Sequence, residues 1–451
     1  MSRADGEMRA APFITGSTMR HVVVMTLTGA VGLMSLFMVD LVDLFFLSLL
    51  NDTEVTAAVG YAGTIVFSNL SVSIGCGIAA AALVARNVGA GDRQRARQFA
   101  TSALMFALIT ASLITLAIDL GSGALLALLG AHGEARRLAQ LFIWTLSPGY
   151  VLIAGAISCS FILRGLGDAR RAMYITLSTA IVTACADPVF IFGFGWGIQG
   201  AAAATVLGYI VSFGIGLHGV VRVHRFINPF RLGGLKRDFP PLWAIAFPAI
   251  LTQLAQPFAN AYITYGIAPF GDESVAGFAI VGRLVPVAFG IIFSLAGSVG
   301  PIIGQNYGAR RHDRVRRTLT DGLIFSAIYT LLTSLLLFLF RHQIAEAFNA
   351  AGRSRDLVVF FCTFIGISWA FTGGQFVANA AFNNLGRPTL SSWFNWAKAT
   401  LGTIPFAMIG ARMGGPEGLL AGTALGSVIF GIASVIAAYA IVRRSATKAA
   451  G

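Results

Sequence analysis

The run Glu54–Arg97, EVTAAVGYAGTIVFSNLSVSIGCGIAAAALVARNVGAGDRQRAR, recurs 219 residues later as Glu273–Arg316, ESVAGFAIVGRLVPVAFGIIFSLAGSVGPIIGQNYGARRHDRVR. No gap is needed between the two. Glu54, Ala57, Gly63, Val66, Asn87, Gly89, Ala90, Arg95 and Arg97 fall on identical residues, nine in 44 positions, about twice what so skewed a composition gives by chance. The same offset carries Leu166-Gly167 onto Leu385-Gly386, and a slip of one or two residues brings Pro188 to Pro405 and Gly208 to Gly426. A fixed offset near half of a 451-residue chain means two copies of one unit, a construction common among secondary transporters.

Hydrophobic residues make up 56% of the chain and charged residues 11%, more apolar surface than a soluble protein of this size can hide. The apolar runs are long enough to cross hydrocarbon, about 20 residues each. Backbone groups in lipid must bond internally, so the spans are expected to be helices. Twelve are expected, at 20–50, 54–85, 98–119, 138–163, 172–194, 197–221, 240–270, 274–304, 318–340, 357–383, 388–411 and 417–442. No cleavable signal peptide is expected, because the first twenty residues carry both charges and no apolar core.

The net charge of +13 does not point to nucleic acid once it is mapped onto these spans. Of 32 Lys and Arg, 24 fall on one side of the membrane, six on the other (Arg136, Arg137, Arg341, Arg353, Arg355, Arg412) and two within spans (Arg283, Lys398). By the positive-inside rule both termini are expected in the cytoplasm. The basic groups around Arg93–Arg97, Arg222–Arg237 and Arg310–Arg317 read as topology signals and contacts for anionic lipid. The four cysteines lie far apart within apolar spans, so neither a disulfide framework nor a metal site is expected.

Six spans precede a basic, Gly- and Pro-bearing connection and six follow it. Six is even, so both copies enter the membrane from the same side and are parallel repeats about an axis along the membrane normal. The expected fold is an all-α polytopic membrane protein, twelve transmembrane helices in two parallel six-helix repeats around a central cleft. Its parts are an N-terminal lobe 1–221, a cytoplasmic linker 222–239 and a C-terminal lobe 240–451.

Acids inside the spans draw attention because each costs about 2.5–3.5 kcal/mol at mid-bilayer on insertion scales. Asp40 and Asp43 share one helix face, and two such close carboxylates do not both ionise readily, so a cation or a proton belongs between them. Asp187 stands directly before Pro188, where a freed carbonyl and a bend would open space. At the repeat offset Asp43 meets Tyr262 and Asp40 meets Ala259, and Asp187 aligns with Ile404 when the prolines are matched. In-span carboxylates are thus expected only in the first copy. The second presents Gln253, Gln256 and Asn260 on one stripe, with Gln375, Asn379 and Asn395 and the cations Arg283 and Lys398. That stripe reads equally as a cargo-facing surface and as interhelical hydrogen bonding. Arg283 reads as a structural or cytoplasm-reaching residue. The 35 Phe would suit lipophilic cations through cation–π contacts, although most Phe in such a bundle face lipid or core.

Val42-Asp43-Leu44-Phe45-Phe46, Ala57-Ala58-Val59-Gly60, Leu83–Asp92, Leu163–Asp168, Asp187-Pro188 and Gly304-Gln305-Asn306-Tyr307-Gly308, in that order and spacing, resemble the multidrug and toxic compound extrusion (MATE) transporters over nearly the whole chain. The resemblance implies twelve helices in two lobes with a V-shaped cleft, export of organic cations, and a driving force from inward proton or sodium movement. It makes Asp43 the helix-1 acid and Asp187 the helix-5 acid, with Thr183 where the family often has Asn, and it implies the bacterial cytoplasmic (inner) membrane. Departures from the pattern are Asp40 in place of a frequent Asn, no acid on helices 7 and 10, and no proline in helix 1, which leaves Gly29 and Gly32 as soft points.

The resulting expectation is a secondary antiporter rather than an enzyme, since the six His lie near span ends or in loops. It would export lipophilic organic cations against proton (or sodium) influx, as a monomer, without nucleic acid or cofactor. Asp43, Asp187 and Asp40 would hold the coupling ion, with Thr183 and Asn69 as neutral ligands. Gln253, Gln256, Asn260, Gln375, Asn379, Lys398 and Arg283 would line the cargo cleft. The alternatives are a flippase for lipid-linked saccharides, which would want more cleft cations, and an exporter of an endogenous metabolite.

Overall fold

The computed structural model describes residues 11–48, 53–229 and 232–450, and regular structure among them is helical throughout. The long helices are α1 (Thr18–Ser48), α2 (Thr53–Gly89), α3 (Arg93–Leu128), α4 (Gly133–Leu166), α5 (Ala169–Gly193), α6 (Gly197–Val223), α7 (Gly233–Phe270), α8 (Asp272–Gly308), α9 (His312–Leu339) and α10 (Gly352–Asn384). A final apolar run, Pro388–Thr447, is 60 residues long, about 90 Å if it were one straight helix and three times the thickness of a bilayer core. It is two helices, α11 (388–413) and α12 (416–450), broken where Gly414 and Gly415 leave helical geometry, Gly415 at φ +62°.

Glycines prove the reversal. A methyl group on Gly410 would lie 2.0 Å from the carbonyl oxygen of Gly418, one on Gly422 2.1 Å from that of Phe406, and one on Gly426 1.7 Å from that of Gly402. The pairs 402/426, 406/422 and 410/418 are symmetric about residue 414, so α11 and α12 run antiparallel with backbones touching once per turn. Small residues permit that approach inside a membrane. Twelve crossings result among the described residues. Most helices outrun the apolar stretches in the sequence because hydropathy falls off where a helix enters the headgroup region, while its backbone ladder continues.

The two halves meet at the basic end. A methyl on Gly89 would lie 1.9 Å from the Gln305 carbonyl oxygen, and one on Gly308 1.9 Å from that of Arg86. The offset of 219 turns Gly89 into Gly308 and Arg86 into Gln305. The contact is therefore reciprocal, as a two-fold axis demands, and because α2 and α8 run the same way the axis lies along them.

The same symmetry organises the seam around this crossing. On α3, Arg95 binds Asp238 at the start of α7 (2.7 Å), and Ser102 donates to the same carboxylate (2.7 Å). On α9, Arg314 donates to the carbonyls of Phe13, Thr15 and Gly16, and Thr18 donates to Asp321. Arg95 and Arg314 are repeat equivalents, as are Ser102 and Asp321. Each lobe thus clasps the chain entering the other lobe's first helix, with donor and acceptor exchanged. Gln305 adds bonds to the Phe13 amide (3.1 Å) and the Gly165 carbonyl (2.8 Å), and Arg86 to the Asn384 carbonyl (2.7 Å).

Three expectations are corrected here. Asp321 is a buried acid inside a C-terminal-half helix, so carboxylates are not confined to the first copy; it serves the seam at the basic end. Gly29 and Gly32 are contact glycines rather than soft points: a methyl on Gly29 would meet Ser294 Oγ at 2.5 Å, and one on Gly32 would meet Thr176 Oγ1 at 1.9 Å. The connection expected at 222–239 is irregular only over His224–Pro229 among the described residues, since a π-turn runs through Val223 and α7 already contains Arg237 and Asp238.

Candidate ion-coupling site

Helices α1 and α5 run side by side in the same direction, and the Gly32–Thr176 contact sets their register. Eleven residues further along each, the register delivers Asp43 on one helix and Asp187 on the other. The two carboxyls stand near enough to act on each other's charge. Asp187 is 0% exposed, yet neither of its oxygens has a hydrogen-bond partner of ordinary geometry, and Asp43 Oδ1 is also without one. Two carboxylates so placed repel each other in low dielectric, a repulsion that a shared proton or small cation would relieve.

Local backbone structure follows from Pro188. It removes one amide donor, and the helix widens at once into a π-turn at Val189–Gly193, a distortion often found beside functional groups. Phe192 in that turn meets Phe46 of α1 edge-on at 6.2 Å, just beyond the two acids along their helices. Thr183, one turn before Asp187, is buried with Oγ1 unpartnered, against the backbone of α6 at Gly208. Asn69 is buried too, but its amide donates to Thr115 of α3 (3.4 Å); the described contacts do not bring it to Asp43 or Asp187. The side chain of Asp40 lies outside the described residues.

One acid of this lobe escaped sequence reading. Asp119 sits at the end of the apolar run 98–119, but α3 continues to Leu128 and makes it intrahelical. Ser147 of α4 donates to its Oδ2 (2.5 Å), while Oδ1 is buried without a partner. Thr115 stands one turn away on the same face, so the spacing Thr115/Asp119 was the available signal.

The C-terminal lobe differs in chemistry. Gln256 donates to Asn260 (3.1 Å) along the exposed face of α7, with Gln253 half-buried nearby. Gln375 on α10 is 0% exposed with both amide atoms unpartnered, and Asn379, one turn on, has an unpartnered Oδ1. Lys398 is half-buried at the first position of another π-turn, Lys398–Gly402. On α11 its neighbours Trp396 and Ala399 pack against Ala255 and Ala259 of α7. Arg283 is exposed on α8, 11 residues from the Asp272 end and 25 from the basic end, about 16 and 37 Å; it does not reach the basic side.

Two pseudosymmetric bundles, closed at one end and carrying an unpaired buried carboxylate couple in one lobe, define a polytopic membrane transporter. The MatE family model matches twice, at residues 30–189 and 248–409, and this chain belongs to that family. Both matches fall on the repeat seen in the sequence. An FAD transporter of Shewanella oneidensis is 28% identical over 415 residues, 91% of this chain and 92% of that protein. A probable multidrug resistance protein NorM of Thermotoga maritima is 23% identical over 326 residues, covering 70% and 69%. Among solved structures, the Vibrio cholerae MATE transporter VcmN in its bent form superposes with a TM-score of 0.90 at 25% identity, covering 95% of this chain and 98% of that one. An outward-facing multidrug resistance MATE transporter superposes equally well, TM-score 0.90 at 22% identity over 97% of this chain.

Proposed function

We propose that this transporter is a proton-driven exporter in the cytoplasmic membrane, with both termini in the cytoplasm and sodium as the alternative coupling ion. The observation that carries the reading is the Asp43–Asp187 pair: two acids from separate helices, near enough to act on each other's charge, with no Lys or Arg hydrogen-bonded to either among the described residues. A proton taken up from outside neutralises the pair, removes the charge that resists closure around it, and lets lobes 1–221 and 240–451 rock so that the basic end opens. Release of that proton to the cytoplasm recharges the pair and readies it for the next cycle. The seam of glycine contacts and clasps at the basic end corresponds to the outward-open half of this cycle.

The cargo of the first reading is a lipophilic organic cation, in keeping with multidrug resistance relatives. A second reading, export of an anionic, aromatic metabolite of the flavin dinucleotide kind, is favoured by two observations. The relative matched over nine-tenths of both chains is named an FAD transporter. The C-terminal interior also offers Lys398 and unpartnered amides rather than acids, a poor match to a cation and a suitable one for phosphate and carbonyl oxygens.

Proteoliposomes loaded with ethidium or with FAD decide both points under an imposed proton gradient and then a sodium gradient. Flux driven by one gradient and lost in Asp43→Asn and Asp187→Asn names the ion, and whichever cargo moves names the class. Flux that survives both substitutions overturns the coupling assignment.

A further inference from the structure

Away from the carboxylate pair, a groove of about 940 Å³ lies at the basic end, between α3 of one lobe and α7 of the other. Gln94, Arg97, Gln98 and Thr101 line it from α3, and Arg237 and Asp238 from α7. Its charges do not balance. Asp238, fully buried, is already bound by Arg95 (2.7 Å), Ser102 (2.7 Å) and Arg237 (3.4 Å), so one carboxylate stands against three guanidinium groups. Arg237 turns its remaining reach to Gln98 (2.9 Å). Arg97 lines the groove with Nε buried and unpartnered, and its side chain makes no hydrogen bond or ion pair among the described residues. A guanidinium held in place without an acceptor, beside a second one and two side-chain amides, matches the planar fork that phosphate oxygens accept.

The surroundings say what carries the phosphate. From the groove, α7 presents Phe239, Trp243 and Phe247 at i, i+4 and i+8, each more than 40% exposed. Their rings are stacked in series, 5.9 Å apart at 11° and then 5.3 Å at 23°. Phe106 of α3 stands edge-on to the first two, at 5.8 and 6.3 Å. An exposed aromatic ladder descending from an arginine pocket along a membrane helix is a track for an acyl chain beneath a headgroup. We propose that this groove binds an anionic phospholipid, with Arg97 and Arg237 on its phosphate and its chain along Phe239, Trp243 and Phe247. Because α3 and α7 belong to different lobes, the bound lipid bridges them beside the Arg95–Asp238 clasp and favours the state closed at the basic end.

The test is lipid retention by the full chain in mild detergent, offered equal amounts of palmitoyl-oleoyl phosphatidylglycerol and the matching phosphatidylcholine and read by native mass spectrometry. Phosphatidylglycerol should be retained about fivefold over phosphatidylcholine for each unpaired arginine engaged. Arg97→Gln should bring the two lipids near parity, and Arg97→Lys should keep most of the preference. Both variants should keep the wild-type elution volume and thermal midpoint, which separates lost binding from lost folding. Equal retention of both lipids by the wild type, or undiminished preference in Arg97→Gln, overturns the proposal. Displacement of the lipid by millimolar inorganic phosphate, in an Arg97-dependent way, would make this a site for small soluble phosphates and overturns the lipid assignment.

Discussion

In the N-terminal lobe, α1 and α5 set Asp43 beside Asp187, with Thr183 one turn before the latter and no Lys or Arg hydrogen-bonded to either acid among the described residues; in the C-terminal lobe the equivalents of the two acids are Tyr262 and Ile404, and the interior polar groups are Gln375, Asn379 and the half-buried Lys398. The backbones are copies. Each lobe also interrupts a helix with a π-turn near one of these groups, though not at repeat-equivalent positions: Val189–Gly193 follows Pro188, whereas Lys398–Gly402 precedes its counterpart Pro405. What differs is the chemistry of the buried groups, carboxylates in one lobe and amides with a lysine in the other. Under the proposed function the duplicated scaffold divides its labour, one lobe holding the coupling ion and the other the cargo. The seam repeats the lesson, since Ser102→Asp238 and Thr18→Asp321 are one clasp with donor and acceptor exchanged.

The largest effect that would break this comparison is on coupling. Asp43→Asn or Asp187→Asn should reduce gradient-driven flux to the level of empty liposomes, while Tyr262→Phe at the equivalent C-terminal position leaves it intact. Next, Lys398→Gln should leave coupling intact and weaken an anionic cargo about tenfold in half-saturating concentration, the loss of one charge-assisted hydrogen bond; an unchanged affinity for FAD would return the preference to cationic cargo. Gly89→Val and Gly308→Val test the symmetry. Each forces a side chain into the partner backbone and should lower stability by a similar amount, about 2 kcal/mol, read as matched drops in thermal midpoint. A large drop in only one would mean the crossing is not shared equally.

The smallest effect lies in the loop between α4 and α5. Burial would raise the Asp168 carboxyl, but His224 (2.8 Å) and Arg171 (2.5 Å) donate to it and hold it well below the usual carboxylate range; the repeat places Arg387 at this position in the other lobe. A carboxyl depressed in the folded state stabilises above its unfolded value, and that contribution disappears as pH falls through the acid range. Asp168→Asn should thus cost about 1 kcal/mol at neutral pH, shrinking on acidification. A cost that does not change with pH would remove the charge from the explanation.

Much of this was legible in the sequence, for identifiable reasons. The repeat offset is read directly from the matched residues, Gly89 with Gly308 among them, but that these two glycines seat the partner backbones at Gln305 and Arg86 appears only in the structure. Asp43 and Asp187 stood out because an acid amid an apolar run has few explanations. Less could be read where the decisive quantity is register between helices. That Gly32 seats Thr176, and so carries Asp43 to Asp187, depends on rotation about two helix axes that hydropathy does not encode. Asn69 was placed beside the pair on polarity alone, whereas its amide points to Thr115. Asp119 and Asp321 lie at or near the ends of the apolar runs 98–119 and 318–340, where an acid reads as a span boundary rather than a buried group, and the clasps of Arg95 and Arg314 are not legible because basic residues at a membrane face look alike until their partners are known.

The most direct measurement of the division of labour is simultaneous recording of cargo and proton movement in proteoliposomes containing a pH-sensing dye. Asp43→Asn, Asp187→Asn and Lys398→Gln would be compared with wild type. The account predicts that either carboxylate substitution abolishes cargo-dependent proton flux, whereas Lys398→Gln alters which cargo moves but keeps the proton flux that accompanies it. Proton-coupled transport surviving loss of a carboxylate, or lost with Lys398 alone, would contradict it.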